Sequence, residues 1–269
     1  MGTSASSRGP GSGVPLVPDW VPAVPGQTPP PDGTAIPAGA AAPAIAPPGR
    51  FGPARTSLGQ FGGSGSERSM HRGLGHYTRK GMGGSTIAAS RMAGTANTAG
   101  GLYGVLSALS SGGAVPTGVA LNTASLAGRS QSEIADAIVN ALRPVDGTQD
   151  GETARDSVAR ALAELLDAQP NADLTALTQP QIELVVEAYI ANDLALRIEL
   201  DVGKAVLDKA PNYATGAQRL EEMKAYIRQE VARAFRARAN IGQTMDRQNA
   251  ATLSSAVLQD TFDVFESYL

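Results

Sequence analysis

Five cations fall within 24 residues of one another: Arg68, Arg72, Arg79, Lys80 and Arg91. Such a run could neutralise phosphates, and Tyr77 among them could stack on a base. Five charges are modest, and a segment that docks on a protein accounts for them equally well. Both histidines of the chain lie in the same stretch, as His71-Arg72-Gly73-Leu74-Gly75-His76. Two imidazoles invite a metal, but zinc takes three or four ligands and Glu67 is the one carboxylate close by. The spacing therefore favours two surface histidines in a basic loop over a metal site. Next comes Arg79-Lys80-Gly81-Met82-Gly83-Gly84-Ser85-Thr86, a glycine run ahead of a helix start, where free amides can hold an anion. In a phosphate-binding P-loop the lysine follows the glycines; here it precedes them, so a flexible connector is the better reading.

The other reactive group is the amino terminus. Met1-Gly2-Thr3-Ser4-Ala5-Ser6 puts a small residue second, which permits removal of Met1. The glycine amine so released has a pKa near ~7.7–8.0, so a useful fraction is neutral and nucleophilic at neutral pH. It has no side chain to obstruct approach. The same residues fit the short N-myristoylation pattern, though one acyl chain anchors only marginally.

Other chemistry is excluded or lacks material. The chain has no cysteine, so disulfides, thiolate zinc sites and a cysteine nucleophile are ruled out, in keeping with a reducing cytoplasm. No Ser–His–Asp arrangement, nucleotide motif or functional carboxylate pair is evident. Glu221-Glu222 and the later Arg233, Arg236 and Arg238 complement the dipole of one helix and read as a solvated face. The expectation is a protein that is not an enzyme and binds no cofactor or metal. The first twenty residues hold one arginine and no apolar core, so no secretory signal is expected. No apolar run is long enough to span a bilayer, and a membrane role is not expected.

The elements that must position these groups divide the chain in three. Residues 1–53 hold thirteen of the eighteen prolines and almost no charge, which predicts a disordered, partly polyproline leader. Such a tether could reach several tens of Å. Residues 54–129 form a basic, Gly/Ala-rich segment predicted to be partly helical from Ser85, where glycines imply close backbone packing or a helix that forms against a partner. Residues 130–269 predict an all-α, bundle-like domain of amphipathic helices. Ser130 or Ser132 caps the first, which carries Ile134, Ile138, Val139 and Leu142 and stops at Pro144. Others span about 153–168, from Pro180 on toward Pro211, about 215–239 and about 245–268. Charge follows the division. Residues 1–130 carry nine basic and three acidic side chains, and residues 131–269 carry thirteen and twenty-two, so the formal net charge of −3 is a cancellation.

The opening MGTSASSRGPGSGVPLVPDWVP, the proline leader, RFGPAR, LGQF and RSMHRGLGHYTRKGMGGSTIAASRMAGTANTAGGLYG together resemble the QatB family, the associated proteins of a bacterial anti-phage defence system. The resemblance is closest over the first twenty residues and over residues 50–104. It implies an operon with an ATPase (QatA), a QueC-like enzyme (QatC) and a TatD-like nuclease (QatD). It further implies that the QueC-like enzyme conjugates a 7-deazaguanine to Gly2 after Met1 removal, reading Thr3, Ser4, Ala5 and Ser6 as it does so. The purpose of the modification is left open by the resemblance. Two other readings follow from the residues: a nucleic-acid-binding adaptor using Arg68–Arg91, and a membrane-active effector using the small-residue stretch 94–126.

Overall fold

The computed structural model describes residues 13–18, 21–22, 45–238 and 245–269. Among these there is no β-strand, and helices account for most of the backbone.

The helices predicted from apolar spacing form, and local capping sets where they start. α5 (Gln131–Leu142) begins at Ser130, whose hydroxyl accepts from the Glu133 amide while the Glu133 carboxylate accepts from the Ser130 amide, a reciprocal capping box. α6 (Gln149–Ala168) starts earlier than the apolar stripe indicates, because Thr148 caps it and Asp150 and Glu152 suit its positive end. α7 (Gln179–Ile198) opens with Pro180 in its first turn. Its stripe then passes through a π-helical turn, Glu199–Gly203, into α8 (Lys204–Lys209) before Pro211. α9 (Tyr213–Arg238) and α10 (Arg247–Glu266) complete the set.

The Gly/Ala-rich segment is more helical than its composition suggests. α1 (Gly52–Ser64) has Pro53 in its first turn; α2 (Glu67–His76) is capped by Ser66 and passes through a π-helical turn, Tyr77–Met82. α3 (Ser85–Arg91) and α4 (Ala93–Ser111) follow. Its glycines mark close approaches rather than breaks. A Cβ on Gly62 would sit 2.3 Å from the backbone oxygen of Val206 in α8. One on Gly100 would sit 2.5 Å from the backbone oxygen of Arg247, where α4 crosses α10.

Buried residues from Phe51 to Phe265 form one continuous core. α4 lies inside it, packed on α7 and α10, with Ala96, Ala99, Leu102, Val105 and Leu106 fully buried. The stretch considered for membrane activity is thus partly the central helix of a protein core, and among the described residues no helix is long and apolar enough to cross a membrane.

Candidate functional site

The leader is anchored where it is described. Pro15 and Ile45 form an antiparallel bridge, flanked by Gly13 N–H to the Ala46 carbonyl at 3.0 Å and Ala46 N–H to the Val14 carbonyl at 2.9 Å. Leu16 is 6% exposed and lies over Gly83, where a Cβ would come within 2.5 Å of its methyl. Gly83 has φ +92°, a conformation L side chains rarely adopt. The glycine run that resembled a phosphate loop is therefore a seat for Leu16. Val21 packs beside Ala93, Ala96 and Ala251. At residues 13–18 and 21–22 the leader packs as a strap, because its few apolar side chains find a small-residue surface to cover. Arg50, 5% exposed, lies at the strap's base with its guanidinium 4.9 Å from the Phe51 ring. Burial, then repulsion from Arg91, lowers its pKa. Gly2 and the residues Thr3, Ser4, Ala5 and Ser6 lie outside the described residues.

The structure separates the five cations that sequence grouped. Arg68 and Arg72 are exposed on α2, one turn apart, on the face that carries His71. His71 stacks on Tyr268 at 4.4 Å between centroids and meets Tyr226 at 4.7 Å. Glu67, Arg68, His71, Arg72 and Tyr268 line a depression of about 430 Å³. Arg79 pairs with Glu266 at 3.8 Å, and Lys80 is exposed nearby. Arg91 ties down the strap with one nitrogen, donating to the Leu16 carbonyl at 2.7 Å. The anion at the start of α3 is internal: the Glu266 carboxylate accepts from the Ser85 amide at 3.0 Å.

Neither histidine joins a metal cluster; among the described residues no three His, Cys, Asp or Glu groups are gathered for one. Burial, with Arg72 and Lys80 adding repulsion, lowers the His76 pKa. Tyr77, the residue considered for base stacking, is buried and donates to Asp201 at 2.9 Å.

Two acids drawn into the interior, Asp193 fully and Asp201 partly buried, were missed from sequence. Asp193, fully buried in α7, accepts from Thr95 of α4 at 2.5 Å and from Arg197 at 2.8 Å, while Arg197 also reaches Asp150 at 2.6 Å. Burial opposes the Arg197 charge, but Asp193 and Asp150 outweigh it and hold the guanidinium protonated. Burial raises the Asp201 carboxyl against the Tyr77 hydrogen bond and the nearby arginines. The available signal was an ionisable residue inside an apolar run, such as Asp193 between Ile190 and Leu194.

The family model described as "Qat anti-phage system associated protein QatB" matches residues 83–265, from the seat of Leu16 through α10. No curated protein and no solved structure matches the chain. The matched span covers more than half of the 269 residues and takes in the core-forming helices α3 to α10, so the chain belongs to the QatB family of the Qat anti-phage system.

Proposed function

We propose that the amino terminus is the working end of this anti-phage component: Gly2, freed by removal of Met1, is the acceptor amine for a QueC-like enzyme of the same system. ATP activates the carboxyl of a 7-deazaguanine acid in that enzyme. The neutral glycine nitrogen attacks the activated acyl carbon, the activating group leaves with the bonding electrons, and the nitrogen loses its proton to give an amide. This protein supplies the amine and takes no catalytic part, and it acts in the cytoplasm beside the ATPase and, on this reading, the nuclease.

The observation that supports this is the anchor. Among the described residues the strap begins at Gly13, bonded to Ala46, and seats Leu16 on Gly83, with twelve residues of sequence ahead of Gly13. A chain of that length spans at most about 40 Å, enough to enter another protein while the body stays outside. The small side chains of Thr3, Ser4, Ala5 and Ser6 suit a narrow channel. Mass spectrometry of the N-terminal peptide tests the reading, on protein made with its operon and with the QueC-like enzyme inactivated. A deazaguanine-sized adduct on Gly2 only with the active enzyme is expected. A bare Gly2 under both conditions would refute it.

A further inference from the structure

A cleft of about 680 Å³ opens where α4, α6 and α10 begin, with Val21 and Pro22 of the strap at its edge. Four guanidiniums line it: Arg91, Arg143, Arg197 and Arg247. They come from four regions of the chain that sequence does not connect. Arg197 is neutralised by Asp150 and Asp193. The remaining lining carboxylate, Asp146, accepts from the Thr148 amide at 2.8 Å and hydroxyl at 2.7 Å. The other three guanidiniums meet no carboxylate at ion-pair distance among the described residues. Arg91 gives one nitrogen to the Leu16 carbonyl, and Arg247 gives one to the Thr117 carbonyl at 3.1 Å. Among the described residues the Arg143 side chain makes no hydrogen bond, and its Nε is buried without a partner.

The backbone adds charge of the same sign. Gly94 and Thr95 of α4, Gln149 and Asp150 of α6 and Arg247 of α10 are first-turn residues of their helices, so three positive helix ends border the cleft. Arg247 places a cation at a helix start, against the dipole's preference. Arg143 follows the end of α5, where a cation would suit the dipole, yet its guanidinium bonds none of the α5 carbonyls. Three guanidiniums without an ion pair among the described residues, beside three helix starts, favour an anion in the cleft. The volume is that of a small-molecule site. Space above α4 is open, since a Cβ on Gly94 would meet only Arg143 Nη2, at 3.8 Å.

We propose that this cleft binds the phosphate groups of a small molecule, held by Arg143, Arg247 and Arg91. Arg143 is the best probe because its side chain holds no hydrogen bond among the described residues, so its loss should leave the fold intact. The test is calorimetric titration of the full chain with inorganic pyrophosphate and, separately, with ATP, at constant ionic strength. Both should bind. Equal affinities would place recognition on the phosphates alone, and tighter ATP binding would add the nucleoside to the same site. Arg143→Gln and Arg247→Gln should each weaken binding tenfold or more with unchanged thermal midpoints without ligand. Arg68→Gln, on the outer face of α2, should have no effect. Absence of binding by either probe, unchanged affinity in both cleft variants, or binding only of a ten-nucleotide single strand would overturn the proposal. None of these results depends on whether Gly2 is modified.

Discussion

Gly62→Ala and Gly94→Ala are the same chemical change on helices of one protein, and the structure predicts opposite signs for them. Alanine is favoured over glycine in a helix by up to about 1 kcal/mol, less near an end. At Gly94 the new methyl meets one flexible guanidinium nitrogen at 3.8 Å, ordinary contact, so part of that gain survives. At Gly62 it lands 2.3 Å from the Val206 oxygen and 2.9 Å from the Val206 carbonyl carbon and Cα. All three atoms are backbone of α8, and none can rotate away. Relief requires α1 to retreat from α8 by about 1 Å, which opens the contacts on either side and carries an overpacking cost of about 1–3 kcal/mol. Gly62→Ala should therefore destabilise by about 1–2 kcal/mol net, and Gly94→Ala should stabilise by about 0.5 kcal/mol. Urea unfolding of the two variants beside the parent, with unchanged m-values, reads both signs. A Gly62→Ala midpoint at or above that of the parent would refute the claim that glycine at 62 exists for close helix approach.

Two further outcomes follow from the strap and the buried acids. Leu16→Ala should free the strap while leaving the core intact. The cost should lie near the lower end of the range for buried leucines, about 2 kcal/mol, and be local. Hydrogen exchange at the Gly13 and Ala46 amides should accelerate with little change in the α4 and α10 amides; uniform acceleration, or none, would show that Leu16 does not anchor the strap. Asp201 has a folded-state pKa raised by burial, so its contribution is greatest below the unfolded carboxylate range of about 4 and is lost as pH rises through the folded value. Asp201→Asn cannot ionise. Its stability relative to the parent should increase from about pH 4 to about pH 7 in paired urea melts. A difference that stays flat or moves the other way would contradict the assigned shift.

Sequence alone determined the all-α class and most of the helices from α5 onward, because apolar residues every three to four positions and caps such as Ser130 and Pro180 are local signals. Family resemblance was also legible, in the opening residues and in 50–104, before the family match over 83–265. α1 and α2 were not legible. Glycine lowers helix propensity wherever it stands, and only the presence of α8 and α10 turns Gly62 and Gly75 into contacts that favour the helix. The strap was hidden for a similar reason: Leu16 and Val21 are too few to form a periodic signal, and their surface is assembled from residues 83–96 and 251. Tertiary structure also rearranged charge. Arg68, Arg79 and Arg91 are neighbours in sequence and serve three different places, whereas Arg91, Arg143 and Arg247 are far apart in sequence and line one cleft. Sequence spacing sets which residues share a helix face; which faces and helix ends meet is decided by how the described helices bury one core.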